Sequence, residues 1–218
     1  MKSSAIASLV ATAVIASTSV AAAESGFYVG LTIGESSTAV SKSELDRAMA
    51  EEFNLIESSL DDGDTAYGAV IGYRFLPYLA AELGWLDLGD VVDYRASLAV
   101  ISISVSSLDV RARASSSGPM VSALGILPLG DAWEIFGRAG LLFSDNKLTV
   151  GVSDFYQSFS TSDSDRDEDA VVGIGAAVNF ADHWAVRAEY TRIFDAGSEE
   201  TTGEEDVDLI GLTVTYRF

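Results

Sequence analysis

The sequence predicts an all-β protein, an eight-stranded antiparallel up-and-down transmembrane β-barrel with short periplasmic turns and long extracellular loops. Three observations carry this. Nearly half of the residues, 48%, are hydrophobic, yet beyond residue 23 no apolar run approaches the ~18 residues that a membrane helix requires. The hydrophobicity is dispersed into short pieces in which apolar residues alternate with small or polar ones. These pieces are joined by short connections at one end and long ones at the other, the asymmetry of an outer-membrane barrel.

The amino terminus, "MKSSAIASLVATAVIASTSVAAAES", has one basic residue, Lys2, an apolar stretch of small residues, and Ala21-Ala22-Ala23 in A-x-A register. It reads as a secretory signal over 1–23, cleaved after Ala23, with the barrel domain over 24–218. There is no cysteine, so neither a lipid anchor nor a disulfide framework is expected. The chain from Glu24 onward is long enough to form one domain without staples.

The first strand is "GFYVGLTIG": Phe27, Val29, Leu31 and Ile33 share one face, Tyr28, Gly30, Thr32 and Gly34 the other. In "TAYGAVIGYRF", Ala69, Ile71, Tyr73 and Phe75 alternate with Gly68, Val70, Gly72 and Arg74. "YLAAELGWLDLG" sets Leu79, Ala81, Leu83 and Trp85 against Ala80, Glu82 and Gly84. A strand about Ser115 to Leu127 is less clearly alternating, and its faces stay unassigned. "WEIFGRAGLLF" opposes Trp133, Ile135, Ala139 and Leu141 to Glu134, Phe136, Arg138 and Gly140. In "DAVVGIGAAVNF", Val172, Ile174, Ala176 and Val178 oppose Val171, Gly173, Gly175 and Asn179. "WAVRAEYTR" opposes Trp184, Val186, Ala188 and Tyr190 to Arg187, Glu189 and Thr191. The last, "DVDLIGLTVTYRF", aligns Ile210, Leu212, Val214, Tyr216 and Phe218 against Leu209, Gly211, Thr213, Thr215 and Arg217.

Short turns fall near Leu76-Pro77, at "PLGD" from Pro128, and at Ala181-Asp182-His183. The long connections run from Glu35 to Gly63, Asp90 to about Ala114, Asp145 to about Asp167, and Ala196 to Glu205. Both chain ends are thereby placed on the short-turn side. A water-soluble sandwich or closed barrel would also alternate, with its apolar face inside. Against it stand the Gly-rich opposite faces, a poor solvated surface, and the aromatics near short turns: Tyr73, Phe75, Trp133, Phe180, Trp184, Tyr216 and Phe218. These predict an interfacial girdle at the periplasmic rim.

Thirteen basic side chains stand against 33 acidic ones, a formal net charge of −20, and loss of Lys2 with the signal makes the balance more negative. Such a surface repels phosphate backbones, so nucleic acid is excluded as a partner.

The stretches "GFYVGLTIG", "GYRFLPYLAAELGWLDLG", "LPLGDAWEIFGRAGLLF", "RAEYTRIFD" and "LTVTYRF", in this order and spacing, resemble the OmpA-like family of small eight-stranded outer-membrane barrels across essentially the whole chain after the signal. The resemblance implies a Gram-negative outer-membrane location and a structural envelope role. It also implies that Tyr216 and Phe218 belong to the C-terminal signal read by the barrel assembly machinery. Larger relatives carry a peptidoglycan-binding domain after the barrel; this sequence stops at Phe218, and a stand-alone, monomeric barrel is expected.

The inward faces carry Arg74, Glu82, Glu134, Arg138, Arg187, Glu189 and Arg217. An eight-stranded barrel has an interior that side chains can fill, so such charges must pair. Glu82, Arg138 and Glu189 are expected to share a lumenal network, balanced by Arg74 or Arg187. That network reads either as a plug or as the gate of a narrow pore for ions or small solutes. The only histidine, His183, sits in a short turn, and there is no cysteine. The usual base and nucleophile arrangements cannot then be assembled at the loop end, and neither enzymatic activity nor a cofactor is expected.

In "DSDRDED", Asp163, Asp165, Asp167 and Asp169 recur at alternate positions of a charged loop. The EF-hand pattern fails, because its glycine position is Glu168 and its twelfth position Ile174. A weak divalent-cation site remains, through which acidic loops could meet lipopolysaccharide phosphates. "SELDRAMAEEFNLIESSL" combines a Ser43/Asp46 capping box with Leu45, Met49, Phe53, Ile56 and Leu60 at helical spacing and predicts a short amphipathic helix. "LAVISISVSSLDVRARA" alternates and predicts a hairpin rising beyond the membrane. Surface adhesion or antigenicity through the loops is the third reading of function.

Overall fold

The computed structural model describes residues 25–38, 54–61, 63–101, 105–153, 158–196 and 205–218. They form nine strands: β1 (Gly26–Thr38), β2 (Asn54–Asp61), β3 (Gly63–Leu76), β4 (Leu79–Ile101), β5 (Val105–Leu129), β6 (Trp133–Ser153), β7 (Ser158–Asn179), β8 (Trp184–Ala196) and β9 (Glu205–Arg217). Eight of them close a barrel in chain order, each antiparallel to its neighbours, because β1 pairs with β3 on one side and with β9 on the other. Closure removes the edges that an alternating sheet would otherwise leave unpaired.

On every barrel strand the outward residues form an apolar run that starts at the short-turn end of the barrel and ends on a polar residue or threonine. On β6 the run goes from Trp133 through Phe143 to Asp145; on β1 it goes from Phe27 through Ile33 to Glu35. Corresponding borders are Thr65, Asp87, Ser117, Glu168, Arg192 and Asp208. The runs extend from seven residues (Phe27–Ile33) to eleven (Trp133–Phe143), which at ~3.3 Å each and a tilt of ~40° span roughly 18–28 Å, the longest matching the apolar band of an outer-membrane barrel. Leu31, Ile174 and Ile210 are 71%, 68% and 68% exposed within this belt. A continuous apolar surface of this size belongs in lipid.

The belt is rimmed by aromatics. At the short-turn end, Phe27 and Tyr73 stack edge to face at 4.7 Å, Trp184 and Tyr216 at 4.9 Å, and Tyr216 and Phe218 at 5.2 Å. Tyr67, Trp85, Phe143 and Tyr190 face outward near the opposite border, a second girdle that the sequence reading missed.

Beyond the belt, β4 and β5 stay paired to Ile101↔Val105, and β6 and β7 to Ser153↔Ser158. The predicted β4–β5 hairpin is therefore present. The charged loop expected over 145–167 is instead the upper part of a β-ribbon, in which Asp145 faces Arg166 and Asn146 faces Asp165. Ile56 and Leu60, assigned to an amphipathic helix, lie in β2; Ser43, Leu45, Asp46, Met49 and Phe53 lie outside the described residues. β2 continues β3 in one register along β4: Asp61 faces Asp93 as Tyr67 faces Asp87. The ladder offered by the upper half of β4 overrides the helical spacing.

Barrel and extension meet at a bulge. The β4–β5 register shifts between Asp87 and Asp90 and again before Val92. Gly89 sits there at φ 71°, a left-handed conformation that glycine adopts without strain. The Gly89 N–H donates to Asp87 Oδ1 (3.0 Å) and the Asp90 N–H to Asp64 Oδ2 (3.0 Å).

Candidate functional site in the lumen

The inward positions form layers. Outermost lies an apolar cluster that includes Leu86, Leu88, Leu142, Val171, Ile193 and Val207, all buried. Nearer the short turns is a second cluster of Tyr28, Ala80, Leu124, Phe136 and Ala177. The face of β5 left unassigned by sequence resolves here: Ser116, Met120, Ser122 and Leu124 point inward, Val121 and Leu127 outward.

Between the two clusters lies a closed charge network. Arg138 on β6 donates from Nη1 to Glu82 Oε2 (2.7 Å) and Ser122 Oγ (2.7 Å). Its Nε and Nη2 donate to Glu189 Oε1 (2.6 Å) and Oε2 (3.0 Å), a two-pronged pair. Glu82 Oε1 accepts from Tyr28 Oη (2.7 Å) and Arg187 Nη1 (2.6 Å). The Arg187 guanidinium lies 5.5 Å from the Tyr28 ring centre and 5.7 Å from that of Phe136, so aromatic faces flank what Glu82 does not neutralise. Glycines make the room: a Cβ at Gly72 would overlap the Tyr28 ring, and one at Gly173 would lie 2.5 Å from Glu189 Oε1.

A separate pair stands nearer the periplasmic rim. Arg74 Nη1 donates to Glu134 Oε1 (2.9 Å) and Oε2 (3.1 Å), and Arg74 Nη2 to the Pro77 carbonyl. Arg217 Nη2 donates to Asn179 Oδ1 (3.0 Å). The structure thus brings Glu82, Arg138, Glu189 and Arg187 together and sends Arg74 to Glu134. Tyr28 and Ser122, absent from the expected network, complete it. Among the described residues the lumen holds two cavities of about 40 Å³ each, both lined by Arg187.

The acidic candidates are not gathered. Asp163, Asp165, Asp167 and Asp169 all lie on β7, where an extended strand spaces alternate residues ~6.6–7 Å apart. Among the described residues no three acidic or histidine side chains converge as metal ligands. Asp169 is buried inside the barrel, whereas Asp163 is exposed. His183 Nδ1 lies 2.9 Å from the Arg217 carbonyl oxygen in an exposed turn.

In the extension, a groove of about 590 Å³ is lined by residues that include Ser58, Arg95, Asp109, Arg111, Val152 and Phe159. Arg95 and Arg111 face each other across the β4–β5 ladder, a like-charge pair that Asp93 bridges: Arg111 donates to Asp93 Oδ1 at 3.0 Å and Arg95 to Oδ2 at 2.8 Å. The Arg111 hydrogen bond, foremost, holds the Asp93 carboxyl at about 2, against an ordinary 3.8, and outweighs the opposing desolvation.

Residues 6–218 match the family model described as outer membrane protein beta-barrel domain. Neisserial surface protein A superposes with a TM-score of 0.50 at 12% identity, over 88% of this chain and 97% of that one. The N-terminal barrel domain of Pseudomonas aeruginosa OprF has a TM-score of 0.44 at 11% identity, over 89% and 100%. OprG from Pseudomonas aeruginosa has 0.43 at 11% identity, over 88% and 97%. No curated protein sequence matches the chain. The barrel closure, the apolar belt and the match over nearly the whole chain agree with the resemblance carried by the strand motifs, and the chain belongs to the family of outer membrane protein beta-barrel domains.

Proposed function

We propose that the protein is a non-enzymatic structural barrel of the outer membrane, plugged in its lumen and displaying a β-sheet extension at the cell surface. The observation that carries this reading is the filled interior. The Glu82–Arg138–Glu189–Arg187 network is capped on its outer side by the Leu88, Leu142 and Ile193 layer, so breaking ion pairs alone opens no polar path. In this reading residues 1–23 are a cleaved signal, and Tyr216 and Phe218 engage the barrel assembly machinery. The Phe218 N–H donates to the Phe27 carbonyl (3.1 Å), beside the seam that β9 forms with β1.

Planar-bilayer recording tests the proposal, with mature wild type and Arg138→Ala refolded side by side. Silence from both proteins, once each is shown by gel mobility to be folded, is the expected result. Unitary steps in the wild type that change in Arg138→Ala would instead establish the alternative, a narrow pore gated by lumenal charge.

The extracellular groove favours a second role, surface adhesion or antigenicity through the extension. Its arginines, serines and exposed Phe159 offer hydrogen bonds, charge and an apolar contact on a rigid ladder. Lipopolysaccharide is a proposed neighbour, with divalent cations between its phosphates and the acidic surface. Protease protection that responds to chelator would support that bridging.

A further inference from the structure

We propose that the periplasmic-side lumenal cavity binds one small monovalent anion, of the chloride or bromide type, between Arg74, Arg187 and Arg217. Charge balance is the first argument. From the short-turn rim to Gly173, the inward-facing charged side chains among the described residues are Arg74, Arg138, Arg187 and Arg217 against Glu82, Glu134 and Glu189, Tyr28 being neutral. The next inward charge, Asp169, lies beyond Val171, at the level of Leu142 in the apolar layer. One guanidinium, that of the half-buried Arg217, is therefore left without a side-chain carboxylate and is hydrogen-bonded to the neutral Asn179, so its inward side borders the cavity with its charge unpaired.

The excess is localised. The cavity of about 40 Å³ is lined by Tyr28, Arg74, Glu134, Arg187, Thr215 and Arg217 among others, three guanidinium groups against one carboxylate, and that carboxylate is already bound at both oxygens by Arg74. Among the described residues Arg74 Nε, Arg187 Nε and Arg187 Nη2 are buried donors without an acceptor. Arg187 is only 7% exposed and Arg74 3%, so solvent does not satisfy them from outside. An unmet donor on each of two arginines bordering one cavity calls for an acceptor inside it.

Size then selects the occupant. A cavity on the scale of one or two waters admits a monatomic anion and excludes a nucleotide or a phosphorylated sugar. Water alone would accept hydrogen bonds but leave the charge uncompensated. The same anion would sit beneath the Tyr28 and Phe136 layer and complete the plug from below.

The test uses the refolded full barrel, with its melting midpoint read from the compact band of unheated gel samples. Sodium gluconate is replaced by sodium chloride or bromide at constant ionic strength. A halide at ten times its dissociation constant is expected to raise the midpoint by about 4 °C. Arg217→Gln, which keeps a hydrogen bond to Asn179 within reach, should abolish the rise, whereas Glu134→Gln, which frees Arg74, should enlarge it. Crystals grown in bromide should show one anomalous peak between the three arginines, a readout that needs no variant to fold. A midpoint indifferent to halide, an equal response in both variants, or no lumenal peak would overturn the proposal. So would a peak without any halide-dependent stability, which would mark an adventitious ion only.

Discussion

At the scale of single residues, Arg138 carries the most. It serves two carboxylates and a hydroxyl at once, with its side chain 5% exposed. Truncating it leaves Glu82 short of one partner and Glu189 stranded, so Arg138→Ala is expected to destabilise the barrel by about 3–5 kcal/mol. Pairing a neutral Met at 138 with Glu189→Gln should recover much of that loss, because no stranded charge remains at 189. Thermal melting of the single and double variants in one detergent checks this; equal midpoints for Arg138→Ala and wild type would show the network to be idle. Strand parity alone placed all these charges on the inward face, so membership of the lumen was legible in the sequence. Partner choice was not, since Arg74 reaches Glu134 rather than Glu82 through the stagger between strands, which no single strand records. Tyr28 was read as inward yet not as a partner, because its role depends on the space left by Gly72 on the adjacent strand.

At the scale of elements, the belt strands were legible because lipid enforces strict alternation, whereas the extension is relieved of that demand. Asp and Ser are poor strand formers, so "DSDRDED" read as loop; in the structure it lies on β7, where residues 158–169 pair with β6 and, among the described residues, β8 begins only opposite Ala170. Among the described residues the acidic run therefore lies along a sheet edge, where like charges oppose pairing with another chain. The β4–β5 part of the extension depends on Asp93. Its carboxyl, held at about 2 from an ordinary 3.8, contributes stability that is fully present above pH 4 and lost as the pH falls through 2. Amide exchange at pH 5 and pH 2.5, corrected for intrinsic rates, should show protection falling at residues 93–97 and 109–113 while 135–141 in the belt stays protected. Asp93→Asn should show the low-pH pattern already at pH 5. Equal protection at both pH values would mean that the backbone ladder alone holds the hairpin.

At the scale of the whole molecule, two folding problems are solved in series along the same strands. Below the polar border, lipid outside and packed side chains inside determine the structure; above it, among the described residues, hydrogen-bond ladders, the arginine–aspartate bridges and the buried Tyr94 and Ala96 hold the sheet. The two lumenal clusters draw on residues no further up the hairpins than Leu88, Ala114, Met120, Leu142 and Val171. Shortening the outer parts should therefore leave the barrel intact. Replacing residues 98–108 by Asn-Gly joins Ser97 to Asp109, which already face each other, and replacing 148–163 by Asn-Gly joins Lys147 to Ser164, which also do. Each splice places a turn favoured in two-residue hairpins between paired strand positions. The doubly shortened chain is expected to refold to the compact gel form and to melt within about 5 °C of the full chain. It also removes Val152 and Phe159 from the extracellular groove, so any cell or matrix binding that depends on that groove should vanish while the folded band persists. Failure of the shortened chain to fold would instead make the extension part of the barrel's own stability, with the ladders above the membrane holding the strands in register below it.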